Sequence, residues 1–246
     1  MTIKCGVDSA YTHGDYSLET HQPFPTTGVL AQNVNRRLSD LRSQLGSEDT
    51  AVYCYVIGTI KNRGGQFYQI GSGPNFQGGL ITLCTCKHFM RAFMGYKEWP
   101  GKWVAGFCGI AAANGQNALV YLMQVGNAFK SHYDLWQFLP ITTREAKAAS
   151  RSHFGDVFEP GGPVVDCFDH RNYEPPVENH GHHADNAWHK DINYCHRHRA
   201  SLLVGDPVYS FLWDRPTIIY KDGRIHRGQK KITLTRLFDK LEVLVQ

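Results

Sequence analysis

Apolar positions recur at helical spacing between residues 29 and 45. Leu30, Val34, Leu38, Leu41 and Leu45 fall on one face and predict a single amphipathic helix, closed by Gly46 as a C′ glycine. Residues 1 to 28 show no period and read as an irregular lead-in. From residue 52 the pattern changes to β-branched and aromatic runs. VYCYVIGTI (52–60) predicts a buried strand, NRGG (62–65) a turn, and QFYQI a short strand after it. A Gly/Pro/Asn loop follows at 71–79. LITLCTC then predicts a strand up to Lys87. HFMRAFM predicts a helix with Phe89, Phe93 and Met94 on one side.

Further along, WVAGFCGI and ALVYLMQV predict a hairpin-like strand pair, and the aromatic run from Phe129 to Phe138 a helix. Thr142 and Glu145 have capping-box spacing ahead of good helix formers. Periodicity then fails from residue 155 to 200. It returns in the strands SLLVGDPVYSFLW and PTIIY, and in a terminal helix carrying Leu234, Leu237, Phe238, Leu241 and Leu244 after Thr233. Hairpin-like strands mixed with short helices predict an α+β fold, with a mixed, mostly antiparallel sheet or a small barrel and flanking short helices. The chain divides into residues 1–50, an irregular segment plus helix, and a main domain, 51–246, containing a histidine-rich loop at 155–200.

Composition narrows this picture. A hydrophobic share of 42% excludes wholesale disorder, and 246 residues suffice for an ordinary core without disulfide staples. No apolar run reaches the roughly 18–20 residues of a membrane span, and the N-terminus lacks the apolar region of a secretion signal. Seven scattered cysteines without a CxxC pair fit a reducing, cytoplasmic compartment. The formal charge of +4 equals that of residues 221–231 alone, so the positive excess is local to one basic loop. Such a loop suits phosphate or nucleic-acid backbone contacts, and suits a solvated turn equally well.

Four constellations could carry chemistry. His170, His180, His182, His183, His189, His196 and His198 crowd into 29 residues, interspersed with aspartates and Cys195. Imidazole, carboxylate and thiolate together suit zinc or another divalent metal, with His182, His183, Asp185 and His196 as ligands. They suit acid–base work without metal as well. The second constellation is TLCTCKH (82–88), a strand-to-helix corner where Lys87 and Arg91 would cradle phosphate at a helix start. The third, HFGD (153–156), would deliver the Asp156 carboxylate to the histidine loop. The fourth is the basic loop, with Arg224 and His226.

In order, these landmarks resemble the second of the nucleotide-modification-associated domain families, found in bacteria and phages, from Tyr53 to about Val245. The TLCTCKHFMR corner is similar to its Thr-Leu-Ala-x-Cys-Lys-Pro-x-Ile-Arg pattern and GKWVAGF to its Gly-Asp-Trp-Val-x-Gly strand. HFGD resembles Phe-Gly-Asp-Asn, HHAD with His196 resembles a His-Ala-Asp…His-Asp pairing, and GRIH resembles Gly-Arg-Gly-His. The chain departs at Lys102 and Arg197, where the family has Asp, and at His88, where it has Pro. The resemblance implies a nucleotide- or nucleic-acid-directed protein in a modification or phage-defence setting. As an enzyme, it would use His183, Asp185, His196 and Asp156 for catalysis, with Lys87, Arg91, Arg224 and His226 on phosphate. The Gly-x-Trp-Val turn also resembles PUA- or EVE-like barrels, implying a non-catalytic reader that stacks bases on Trp103, Tyr121 or Trp136. A zinc-stabilised interaction domain is the third reading.

Overall fold

The structure is a computed structural model that describes residues 24–46, 49–71, 73–149, 156–174, 189–225 and 230–244. Its elements are α1 (Gly28–Gln32), α2 (Leu38–Leu45), β1 (Ala51–Ile57), β2 (Ile60–Arg63), β3 (Gln66–Gln69), β4 (Thr82–Leu83), α3 (His88–Arg91), β5 (Trp103–Cys108) and β6 (Leu119–Phe129). They continue with α4 (His132–Phe138), α5 (Ile141–Ala149), α6 (His189–Arg197), β7 (Leu202–Leu212), β8 (Ile218–Tyr220), β9 (Lys230–Thr233), α7 (Leu234–Asp239) and β10 (Leu241–Val243).

Six strands form one mixed sheet in the order β4-β7-β6-β5-β1-β9. Only β1 and β5 run parallel; every other neighbour is antiparallel. Two-stranded pairs, β2–β3 and β8–β10, flank it. This is the expected α+β class. Among the described residues the sheet stays open, so the barrel alternative does not appear. No helix among them is long and apolar enough to cross a membrane.

Both faces of the sheet are covered, which explains the unbroken apolar run of β5. Successive residues of β1 and β5 feed opposite cores. Val52, Cys54, Trp103, Ala105 and Phe107 pack against α2 and α7 through Leu38, Leu41, Leu45, Leu234, Leu237 and Phe238. Tyr53, Tyr55, Ile57 and Val104 pack on the other face with Leu30, Met90 and Trp99. A third cluster joins Leu135, Trp136 and Leu139 to Cys84, Cys195 and Leu202.

Several elements differ from their sequence patterns. The helix expected over 29–45 is broken at Asn33–Arg37. Val34 bridges Leu212, Asn35 donates to Leu212 O at 2.7 Å, and Asn35 adopts a left-handed φ of 57°. The Asn35 amide also donates to Asp214 at 2.9 Å, so local side-chain bonding overrides the apolar period. Gly46 ends α2 in right-handed geometry, at φ −67°, rather than as a left-handed cap. The 52–60 run turns at Gly58–Thr59, giving Ile60 to the next hairpin. Phe129 closes β6, and α4 begins after Ser131, whose hydroxyl accepts from the Asp134 N–H at 3.1 Å. The irregular stretch contains α6, whose buried face is only Asp191, Ile192 and Cys195. The terminal helix stops at Asp239, and Leu241 pairs with Tyr220 in a strand.

Gly106, at the centre of β5, has no room for a side chain. A Cβ there would lie 2.2 Å from Tyr121 Cε1 and 2.7 Å from Ile57 Cδ1. Gly106→Ala should therefore overpack the core and cost about 1–3 kcal/mol. Thermal unfolding followed by circular dichroism checks this; an unchanged midpoint would show that the sheet centre yields freely.

Candidate functional site

Of the four constellations, the corner between β4 and α3 is the one the described residues define most fully. LITLCTC pairs as a strand only at Thr82–Leu83. Beyond it, the amides of Cys84 and Thr85 and the Thr85 hydroxyl all donate to one oxygen of Asp156, each at 3.0 Å. A carboxylate thus takes the backbone donors that a longer strand would have used. Cys84 and Cys86 therefore lie beyond the paired strand. Asp156 is 1% exposed, and its other oxygen, Oδ2, has no hydrogen-bond partner among the described residues.

The loop at 71–79 closes over this carboxylate. A Cβ on Gly73 would lie 3.1 Å from Asp156 Oδ1 and 3.2 Å from both Cys86 Sγ and Thr85 Oγ1. From the sheet, Tyr55 and Tyr121 meet at the same place, their hydroxyls 2.8 Å apart. Burial raises the proton affinity of both phenols, Tyr121 raises that of Tyr55 further, and Asp156 and Cys86 add smaller contributions to each. Cys86 is pushed up to about 12 by burial first and Asp156 second, so it is a poor thiolate nucleophile. Lys87 is half-buried in a left-handed conformation at φ 57°, with its ammonium 5.3 Å from the centre of the Tyr55 ring.

Two more cations reach this corner from behind. Arg91 is 0% exposed and donates to Cys86 O at 2.7 Å and Ser201 O at 2.6 Å. It is committed to protein carbonyls, and the expected phosphate contact is corrected to a structural tie between α3 and β7. Nor does it share a helical face with Lys87, which precedes the four-residue α3. Lys147, on α5, is equally buried and donates to Asn75 Oδ1 at 2.8 Å, and to Leu80 O and Thr82 Oγ1 at 3.1 Å. Burial lowers its pKa to about 8, against a smaller opposing pull from Asp156. Asp191, buried on α6, is within electrostatic reach of Cys86.

The structure brings Lys87, Arg91 and Asp156 together but places other expected residues elsewhere. His196 is exposed and stacks on Phe168 with ring centres 4.8 Å apart. It lies about 100° around α6 from Cys195, its inward-facing neighbour. Arg224 is exposed next to Ile225, which packs into the core on the far face of the sheet. His182, His183, Asp185 and His226 lie outside the described residues. Among the described residues, no three His, Cys, Asp or Glu side chains are grouped to hold a metal ion. Of the zinc ligands expected, only His196 is among the described residues. The aromatics expected to stack on bases, Trp103, Tyr121 and Trp136, are all in the core. Among the described residues the most exposed phenylalanine and tyrosine rings are Phe89 and Phe93, at 57% and 58%, ahead of Phe138 and Tyr96. Sequence reasoning missed Tyr55, Tyr121, Gly73, Lys147 and Asp191 as members of this site. Gly73 alone carried a signal, as part of a loop dense in Gly, Pro and Asn.

No family model matches this chain, and no curated protein or solved structure matches it either.

The buried thiols make stability pH-dependent in a defined direction. Burial raises Cys54 to about 12, Cys108 and Cys195 to about 11, and Cys84 well above its ordinary value of 9.0. An unfolded thiol loses its proton near 9.0 while the folded one keeps it, so stability is full below that pH and falls above it. Each such thiol contributes a loss of about 1.4 kcal/mol per pH unit in this window. Lys147 acts oppositely: its folded pKa is lowered from 10.5 to about 8, so stability recovers as pH rises between these values. Four thiols outweigh one lysine, and the melting midpoint should fall steadily from pH 9 to pH 11 under reducing conditions. Calorimetric melts across that range check it; a flat or rising midpoint contradicts the buried-thiol assignment.

Proposed function

We propose that this protein binds and acts on a nucleotide or nucleic acid at the β4–α3 corner, with Asp156 as its acid–base group. The observation that carries the reading is the asymmetry of that carboxylate. One oxygen is saturated by three donors, while the other is buried with no partner among the described residues. A rigidly held carboxylate with an open acceptor position is the arrangement needed to take a proton or accept an N–H from a base edge. Lys87 supplies positive charge beside it. Gly73 keeps the covering loop close. The landmark order shared with the nucleotide-modification-associated family points to the same substrate class. In this reading His183 and Asp185 serve proton transfer from the adjoining histidine-rich segment, and the compartment is cytoplasmic.

A second reading, a non-catalytic reader of nucleic acid, is favoured by one observation: Phe89 and Phe93 stand exposed on the outer side of the same corner.

Asp156→Asn separates the two. The amide oxygen can still accept from Cys84 and Thr85, but the group no longer takes a proton. Full-length protein is incubated with a mixed-sequence oligonucleotide and the common nucleoside triphosphates, and products are followed by mass spectrometry. Wild type should convert one of these probes, and Asp156→Asn should slow conversion by about 10²–10⁴-fold with an unchanged far-ultraviolet spectrum. Equal conversion by both proteins, or loss of the folded spectrum in the variant, removes Asp156 from catalysis. Tight binding without conversion by either protein establishes the reader.

A further inference from the structure

The outer surface of the corner carries an aromatic cluster with no place in the core. Phe89 and Phe93 are four residues apart and more than half exposed. His88 stacks on Tyr194 of α6, with ring centres 3.7 Å apart and planes at 5°. His198 sets its ring 6.1 Å from Phe89 and 5.5 Å from Tyr194, extending the cluster across the start of β7. On the other side, the Lys231 ammonium lies 6.0 Å from the ring centre of Phe93 and 5.8 Å from that of Tyr53.

Charge on this face is one-sided. Over residues 87–99 and 194–200, together with Lys231, the cations that are not buried are Lys87, Lys97, Arg197, Arg199 and Lys231; Glu98 is the only carboxylate. Solvent-exposed phenylalanines set among cations are costly on a surface facing only water. They match a polyanion that also presents flat apolar rings. A protein partner would ask for a continuous apolar patch, and a duplex keeps its bases stacked on one another and away from such rings. Unpaired nucleotides offer both features at once, phosphates for the cations and base faces for Phe89, Phe93 and His198.

We infer that this face binds single-stranded nucleic acid, its bases stacking on Phe89 and Phe93 and its phosphates on Lys231, Arg197 and Arg199. The inference rests on the nucleic-acid reading above and specifies the form of the substrate; it does not depend on turnover at Asp156. Phe89 follows Lys87 by two residues, so a strand laid over it would pass beside the corner that holds Asp156.

Fluorescence anisotropy of the full chain tests it, using a labelled mixed-sequence 15-nucleotide single strand and the same sequence as a blunt duplex. The single strand should bind at least about tenfold tighter. Phe89→Ala and Phe93→Ala should each weaken it by about 5-fold to 150-fold, the range for loss of one base–aromatic stack. Phe89→Trp and Phe93→Trp, which keep a ring, should bind as wild type. Lys231→Gln should flatten the dependence on salt. Duplex binding as tight as the single strand, or alanine variants that bind like wild type while Lys231→Gln still weakens binding, overturns stacking and leaves the nucleic-acid reading standing. Absence of binding to both probes at low salt overturns the two together.

Discussion

Three donors from two consecutive residues converge on a single oxygen of Asp156, and much of the local architecture follows. The backbone of Cys84 and Thr85 would otherwise continue the β4 ladder along β7. Bonded to a carboxylate, it leaves the sheet, and the chain turns through Lys87 in a left-handed conformation into α3. That turn gives Arg91 its position between Cys86 O and Ser201 O, which joins the corner to the first residues of β7. It also swings Met90 into the core and Phe89 out of it. Charge-assisted bonds of this kind are about twice as strong as neutral ones, and they act here on backbone groups that burial would otherwise leave unpaired.

The buried Lys, Arg and Asp side chains among the described residues, Arg91, Lys147, Asp156 and Asp191, all lie around this corner. Removing such groups from water is expensive, and their mutual attraction offsets it only when their remaining donors and acceptors are satisfied. Lys147 meets that condition; Arg91 meets it in part, since its Nη2 has no hydrogen-bond partner among the described residues. Lys147 fills its three donor positions, yet desolvation still wins and lowers its affinity for a proton. Arg91 fans its guanidinium over two carbonyls and lies against the Cys195 thiol, whose proton affinity it lowers in opposition to burial. A lysine at 91 would span only one of these directions. Such a network fixes a unique geometry more than it stabilises the fold.

The sheet was legible wherever burial dictated residue type. β1, β5, β6 and β7 follow from runs of Val, Leu, Tyr and Trp, and α5 from its good helix formers, although it begins at Ile141 and Thr142 lies inside it rather than at its cap. The errors have a common physical origin, because each involves a polar group whose long-range partner outweighs the local pattern. Asn35 finds Asp214 and breaks a helix that five apolar residues favoured. Asp156, 72 residues from Cys84, cuts a strand to two residues. Arg91 looked like surface charge because lysine and arginine usually are; its burial depends on Ser201, far along the chain. α6 was hidden because an inward face of Asp191, Ile192 and Cys195 carries only one strongly apolar residue. At the site, the chemistry-bearing residues Lys87 and Asp156 were visible as motifs, but their meeting was not; Tyr55 read simply as core, and Tyr121 as a ring for stacking bases.

The same carboxylate links the interior of the corner to its surface. Because Asp156 ends the strand at Leu83, α3 starts beside the sheet instead of extending from it, and its outer residues meet α6 through the His88–Tyr194 stack. His88 is therefore held from two sides: its backbone by the turn that Asp156 creates, and its ring by Tyr194. The exposed phenylalanines inherit that rigidity, since Phe89 is adjacent in sequence and Phe93 is fixed against Tyr53 at 6.1 Å. A platform built this way loses little conformational freedom when a flat ring settles on it, and that is where an exposed aromatic gains affinity. The acidic centre and the aromatic face are thus two sides of one turn. A ligand seated on the outside would be positioned by the same hydrogen bonds that aim the carboxylate on the inside.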